Sequence, residues 1–346
     1  MKLEDFGYHL PGELIAQTPC DLRDESRMMV VKRRTGEIEC RIFHDLPEFA
    51  EKGNVLVINN TKVFPARLIG KKSAGGMIEI LLLSRISGEP KSLETWQVLI
   101  RPAKRVRVGA KILFNRECEA QVIDRISQKK WIVSFATDLA FANFLEKYGR
   151  TPLPPYINRH KNSFESLADV DRYQTIYARF PGSIAAPTAG LHFSQNILDT
   201  LEKNGVYVVP VTLHVGYGTF LPIEADDVED HMMEEEFFEI TAEAAEVINS
   251  AEKVIAVGTT STRVLESAAD EAGRIKPCSA YTRLFIYPGY CFKRVDTLIT
   301  NFHLPRSSLY ILVCAFAGKH LTERAYKEAV KNRFRFYSYG DCMIIL

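Results

Sequence analysis

The chain has 346 residues, 46% of them hydrophobic and 25% charged, and a net charge of +1; that length supports a sizeable core and more than one domain, and near-neutrality excludes a global field for polyanions, so any nucleic-acid surface must be local. Seven cysteines stand singly with no C-x-x-C pair, which argues for reduced thiols and against a disulfide scaffold or a zinc site. The absence of a secretory h-region and of any apolar run near the ~18 residues of a membrane span points to a cytoplasmic globular protein with no membrane partner.

In chain order, Met28 to Lys32 reads as a strand, Arg34-Thr35-Gly36 as a turn and Ile38 to Phe43 as the pairing strand. Asp45 is placed to cap a short helix through Glu51, stopped by Gly53. Asn54 to Ile58 is an apolar run of the buried-strand kind. It delivers Asn59-Asn60-Thr61-Lys62 to a strand's carboxyl end, where open α/β sheets place ligands. The same four residues equally suit a solvated turn.

From about Arg67 to Ala136 the pattern changes to short strand-like segments (78–84, 96–101, 111–114, 119–126 and 131–135) separated by Gly, Ser, Pro and Asn. Such spacing predicts a small antiparallel β-barrel. Within it, Arg101, Lys104, Arg105 and Arg107 put four cations in seven residues, and residues 101–130 hold nine Lys or Arg against three Asp or Glu. A basic rim suits a nucleic-acid backbone, whose condensed counterions it releases; a solvated loop has the same composition. A helix-like segment (139–148) and an extended stretch, Thr151 to Pro155, then return the chain. The expected boundaries are a discontinuous α/β domain of residues 1–66 and 154–346 around a barrel of residues 67–153.

Gly182 to Phe193 is poor in charge and rich in small residues. Pro187 excludes a helix interior, Gly190 permits close approach to the backbone, and Thr188 and His192 carry chemistry. A tight connection between packed elements is the other reading. Ser194 caps a helix through Lys203, closed by Asn204-Gly205. Val206 to Val215 is strand-like and carries His214, with Pro210 assigning its middle to an edge or a bulge. Gly216-Tyr217-Gly218 follows without a helix start or a third glycine, so the dinucleotide fingerprint fails. A helix from Thr241 to Lys253 precedes a buried-type strand, Val254 to Val257. Gly258-Thr259-Thr260-Ser261 then opens a helix through Ala272, where free N–H groups and the positive dipole end face outward; simple capping accounts for the same hydroxyls. Leu284 to Tyr287 and Thr297 to Asn301 read as strands, the second ending in Asn301-Phe302-His303. Ser307 and Ser308 cap an apolar helix (309–317), and 322–333 is a final amphipathic helix. Three polar clusters at strand or loop ends, Thr188/His192, Thr259/Thr260/Ser261 and Asn301/His303, point to one shared pocket.

The segments RYQTIYA (172–178), GSIAAPTAGLHF (182–193), LHVGYGTF (213–220), AVGTTSTRVLES (256–267), YPGYCF (287–292), DTLITNFHLP (296–305) and RFYSYGD (335–341) stand in this order. With Leu10-Pro11, Leu14 to Gln17, Arg23-Asp24, Ser26-Arg27 and Val63 to Arg67, they resemble the S-adenosylmethionine:tRNA ribosyltransferase-isomerase family of queuosine biosynthesis over essentially the whole chain. The resemblance implies an α/β main domain, with a mixed sheet and flanking helices, interrupted by a small antiparallel β-barrel insert. It also implies transfer and isomerisation of the ribosyl group of S-adenosylmethionine onto 7-aminomethyl-7-deazaguanine at the tRNA wobble position. Adenine and methionine leave, S-adenosylmethionine is consumed as a substrate, and no metal or other cofactor is expected; a monomer is expected. The family usually reads Asn-Asp-Thr where this chain has Asn59-Asn60-Thr61, so residue 60 is no general base here. It usually reads His-x-Met-His-x-Glu where this chain has His231-Met232-Met233-Glu234-Glu235-Glu236, which removes a histidine at 234.

In that reaction the sulfonium acidifies the 5′ C–H, so a base and a donor for departing adenine are needed. His192, His214 and His303 are the expected proton carriers; His9, His44, His160 and His320 read as surface or packing residues. Thr259, Thr260, Ser261 and Arg263 are expected to hold the methionine carboxylate and Asn301 to read the adenine edge, with Thr188 and Gly190 facing the ligand. Arg101, Lys104, Arg105 and Arg107 are the expected tRNA phosphate contacts. Two competing readings are an S-adenosylmethionine-dependent RNA methyltransferase, whose glycine-rich loop the chain lacks, and a non-catalytic tRNA-binding protein, which leaves the three polar clusters unexplained.

Overall fold

A computed structural model describes residues 1–73, 75–88, 93–115, 117–159, 167–220 and 222–346. His160 lies outside them. Contacts divide the described chain into two compact units, one of residues 1–62, 155–159 and 171–346, the other of residues 63–154 and 167–170.

The first unit is built on a nine-stranded mixed sheet. Its centre is four parallel strands in the order Tyr207–Leu213, Val55–Asn59, Val254–Val257, Thr297–Asn301. On one side follow Cys342–Ile345, antiparallel to its inner neighbour, then Arg27–Val31 and Ile38–Ile42. On the other, Glu236–Ile240 and Cys278–Thr282 add antiparallel strands. The strand Val55–Asn59 shows why the centre reads as unbroken apolar sequence: Val55 and Val57 enter one hydrophobic core, Leu56 the other, on opposite faces. A strand covered on both faces has no polar side to alternate with.

Three of the helices that cover the faces are capped by side chains, two of them, at Ser194 and Ser307, as expected, whereas the helix from Gly258 has no side-chain cap. Ser194 Oγ accepts from Ile197 N at the start of Gln195–Lys203, Thr241 Oγ1 from Ala244 N before Ala242–Ser250, and Ser307 Oγ from Tyr310 N before Ser308–Ala317. Lys319–Lys331 closes the set of helices. Among the described residues no helix is long and apolar enough to cross a membrane.

Two local expectations are corrected and a third is refined. The helix expected from Asp45 is a 3₁₀ segment, Phe43–Phe49, with Pro47 inside it; proline's missing N–H and fixed φ disfavour a regular α-helix there. Leu284 to Tyr287 is not a strand. Its side chains pack on the core while the outer strand is the less apolar Cys278–Thr282, which needs only one covered face. Pro210 lies in a strand that is interior in the sheet order and pairs in register with Ile58, yet on its own N side the strand is locally an edge, as the proline leads one to expect. Tyr207 N bonds Asn54 O and Leu213 N bonds Asn59 Oδ1. By alternation, the missing N–H of Pro210 falls on the opposite side, where the next strand pairs only with Thr212 and Leu213.

The second unit is a closed six-stranded antiparallel barrel, in the order Lys130–Thr137, Leu93–Arg101, Met77–Gly88, Arg67–Lys72, Lys111–Phe114, Cys118–Arg125. Closure leaves no sheet edge. Alternate residues such as Ile78, Ile80 and Leu82 point inward and are fully buried. The first strand, Arg67–Lys72, carries Gly70 at a buried position, where a Cβ would meet Ile112 and Phe114 at 2.8 Å. Phe141–Tyr148 turns Phe141, Phe144 and Leu145 into buried positions, with Phe141 against Phe135.

Candidate active site

The four central strands run the same way, so their carboxyl ends share one edge of the sheet. A cavity of about 430 Å³ opens there, within the range of small-molecule sites. Its walls are Ala185 to Ala189, Gly258 to Thr260, and Thr300, Asn301 and His303, completed by Val215, Thr219, Arg306, Tyr156, Tyr173, Tyr337 and Ser338. Members of all three polar clusters thus meet around one space. Gly258 has φ +89° with Ala189 Cβ 3.5 Å from its own Cβ position, a conformation that favours glycine. Arg306 and Tyr337, both lining the cavity, hold φ of +57° and +73° without being glycine, backbone strain of the kind that gathers at functional sites.

Three atoms of wall residues, Tyr173 OH, Thr260 Oγ1 and Asn301 Oδ1, are buried with no hydrogen-bond partner among the described residues. Buried polar atoms are paired as a rule, and these three belong to residues lining a space that a polar ligand can fill. His303 is the candidate histidine on the wall. Its Nε2 is 2.8 Å from Thr300 Oγ1, its backbone N–H donates to Tyr326 OH, and its carbonyl accepts from Tyr8 OH. Burial pushes its pKa down to about 3, so the imidazole is neutral at physiological pH.

Several expected site residues stand elsewhere, each for a visible reason. His192 is buried behind the wall, with Nδ1 2.6 Å from Ser26 Oγ and Nε2 3.1 Å from Asn301 Nδ2. Burial, then the charges of Arg335 and Arg23, lower its pKa to about 3. With both nitrogens engaged it is no free proton carrier. His214 does not line the cavity; Nδ1 is 2.9 Å from Thr61 Oγ1, which is 2.7 Å from Ser183 Oγ, and the ring stacks on Phe237. Burial lowers its pKa, partly offset by Glu239. Gly190 makes room for a protein side chain, not a ligand: a Cβ there would lie 2.1 Å from Tyr177 OH. Ser261 Oγ donates back to Val257 O within its own helix. Arg263 is spent on a buried ion pair with Glu236 and on Leu284 O, 2.9 Å away. That pair still serves the site, because Glu236 Oε1 accepts from Gly216 N at 2.8 Å and from Thr219 Oγ1, and Thr219 lines the cavity. Thr188, Thr259, Thr260 and Asn301 are on the wall.

Tyr156, Tyr173, Arg306, Tyr337 and Ser338 were not anticipated as wall residues. Tyr156 and Tyr337 pack with ring centroids 4.0 Å apart, and Tyr156 OH is 2.6 Å from Ser338 Oγ. In the barrel, Arg101, Lys104, Arg105 and Arg107 are exposed around the turn Ala103–Arg105, pinned by buried Val106. Lys72 Nζ bonds Arg105 O at 3.0 Å and adds a cation beside them. Among the described residues no three His, Cys, Asp or Glu side chains gather as a metal site requires.

The family profile described as "Queuosine biosynthesis protein" matches residues 3–345. The chain belongs to that family. It is similar, at 57% identity over the whole of both chains, to the S-adenosylmethionine:tRNA ribosyltransferase-isomerase of Syntrophus aciditrophicus. The identity is 49%, again over both whole chains, to the protein of the same name from Caldanaerobacter subterraneus subsp. tengcongensis. The crystal structure of S-adenosylmethionine tRNA ribosyltransferase from Thermotoga maritima is 35% identical, with a TM-score of 0.54 over 99% of this chain and 100% of that one. Within the queuosine family frame, the two sequence departures sit outside the cavity wall. Asn60 is buried, its Oδ1 accepting from Thr212 Oγ1 at 2.7 Å and its carbonyl from Arg179 N at 2.7 Å. Its neutral amide therefore fills a sheet-end role. Glu234 packs beside Gly218, whose Cβ position lies 3.1 Å from Glu234 Cγ.

Proposed function

We propose that this protein is an S-adenosylmethionine:tRNA ribosyltransferase-isomerase. On this reading it moves the ribosyl unit of S-adenosylmethionine to the aminomethyl group of 7-aminomethyl-7-deazaguanine in tRNA and isomerises it to epoxyqueuosine. The observation that carries the reading is the cavity at the shared carboxyl ends of four parallel strands, with unpartnered polar atoms in its wall, in a chain whose full-length relatives bear that name. S-Adenosylmethionine is a substrate here, and the chemistry requires no resident metal or prosthetic group. A monomer is the expected state, and a tRNA substrate fits work in the cytoplasm.

In this reading Thr259 and Thr260, at the start of the helix Gly258–Ala268, take the methionine carboxylate, since the first-turn N–H groups and the dipole favour an anion. His303 is the proton carrier. Nothing else among the described residues bonds its ring beyond Thr300, which leaves Nδ1 for the substrate. A group with pKa about 3 is a weak resting base but a strong acid once protonated. It therefore takes the acidified 5′ proton transiently and hands it to departing adenine. The aminomethyl group then attacks, the ribosyl unit rearranges, and methionine leaves. Arg101, Lys104, Arg105 and Arg107 contact tRNA phosphates.

The test is incubation with S-adenosylmethionine and tRNA carrying the deazaguanine precursor, followed by identification of the small products. Adenine and methionine support the reading. S-Adenosylhomocysteine indicates a methyltransferase, and binding without turnover indicates a tRNA-binding protein. His303→Gln should keep the melting temperature within a few degrees and abolish adenine release.

A further inference from the structure

The carboxamide of Asn301 is held at its nitrogen end by three acceptors. Nδ2 lies 3.1 Å from His192 Nε2, 3.2 Å from Tyr337 O and 3.5 Å from Asp341 O. The reverse orientation would press Oδ1 against two backbone carbonyls, which donate nothing, so the amide direction is fixed by the backbone itself. Nε2 of His192 must then accept, which places the imidazole proton on Nδ1. That proton goes to Ser26 Oγ at 2.6 Å, and the serine hydroxyl passes its own to Arg23 O at 3.4 Å. Every link in the chain has one donor and one acceptor. The remaining end of the amide, Asn301 Oδ1, belongs to a residue 2% exposed that lines the cavity, and the atom has no partner among the described residues.

We infer that Asn301 Oδ1 is a fixed hydrogen-bond acceptor that selects for a ligand N–H group, and that His192 is the positioning residue that aims it. The inference rests on the ribosyltransferase-isomerase reading for its ligand. S-Adenosylmethionine carries N–H donors in two places, the 6-amino group of adenine and the α-ammonium of methionine, and an acceptor in the wall suits either. An unmet acceptor in a buried site penalises any ligand that lacks the donor. His192 touches no reacting atom; it acts through Asn301.

Two measurements on the full chain test this. In protein labelled with ¹⁵N at histidine, NMR should show His192 protonated at Nδ1 and bare at Nε2 without substrate; a proton on Nε2 would reverse the amide and overturn the inference. This arm is decisive whether or not the enzyme reading survives. Equilibrium binding should then compare S-adenosylmethionine with an analogue lacking the 6-amino group and another lacking the methionine amino group. One of them should bind roughly 10- to 100-fold more weakly to the wild type, and which one identifies the donor. That preference should shrink to within about threefold in Asn301→Leu and His192→Phe, while His192→Gln, whose amide oxygen can still accept from Asn301, retains it. Equal binding of both analogues by the wild type, or an undiminished preference in both apolar variants, overturns the inference. A merely structural histidine would weaken all three ligands alike.

Discussion

Glu236→Ala isolates the buried ion pair beneath the cavity. Glu236 and Arg263 are 4% and 5% exposed. Removing the carboxylate strands a guanidinium whose Nη1 loses its partner, whose Nη2 already has none, and whose Nε keeps only Leu284 O. Breaking a buried pair from one side costs about 3–5 kcal/mol, and the loss of the acceptor for Gly216 N adds about 1 kcal/mol. Against a domain stability of about 5–15 kcal/mol, the sum removes a large share. At about 2–4 °C per kcal/mol for a unit of this size, melting should fall by roughly 8–24 °C in differential scanning calorimetry. The double variant Glu236→Leu/Arg263→Met removes both charges and should recover most of that loss, because a well-packed apolar pair often matches a buried ionic one. It should not recover substrate affinity, since Gly216 and Thr219 remain unanchored; KM for S-adenosylmethionine should stay about tenfold raised, on the order of one lost hydrogen bond to a charged group. A single variant that melts within about 2 °C of wild type, well inside the shift expected for such a pair, would refute the reasoning.

Gly190→Ala should cost about 1–3 kcal/mol in denaturant unfolding through overpacking against Tyr177; lost substrate affinity at unchanged stability would instead return Gly190 to the ligand. Stability should fall with acid through His192 and His303. Both have folded pKa values of about 3 against 6.5 unfolded, so the unfolded chain binds more protons between those values. The contribution is complete above pH 6.5 and declines below it, by on the order of 4 kcal/mol for the two at pH 5. Denaturant midpoints from pH 8 to 5 check this, and a flat profile would contradict the burial of neutral imidazoles. Reversing Arg101, Lys104, Arg105 and Arg107 to Glu should weaken tRNA binding and flatten its log–log salt dependence by roughly 0.7–0.9 for each phosphate no longer neutralised; an unchanged slope would move the RNA surface elsewhere.

The parts of the fold legible in sequence were those that local chemistry decides. Ser194 and Ser307 cap the helices they should, and Val254–Val257 and Thr297–Asn301 are the expected strands. Leu284 to Tyr287 misled because apolar density reports burial, not pairing, whereas the strand Cys278–Thr282 is half polar. Of the site, Thr259, Thr260, Asn301 and His303 share a wall because parallel strands bring their carboxyl ends together, and Thr188 joins them from the 3₁₀ turn Thr188–His192. The roles of His192, Arg263 and Gly190 depended on distant partners, Ser26, Glu236 and Tyr177, that no spacing links to them. Tyr156 and Ser338 were invisible for the same reason: 182 residues separate them.

The strand Tyr207–Leu213 has one further property. Over its first half the side turned away from Val55–Asn59 is not paired by the neighbouring strand, whose register begins only at Thr212, and Tyr207 and Pro210 there are exposed. Such a half-open ladder is a template on which another polypeptide's strand can assemble. Proline at 210 withholds the donor on that side and interrupts the template in the middle. The same residue that looks like an obstacle to sheet formation therefore guards the chain against joining its own copies edge to edge.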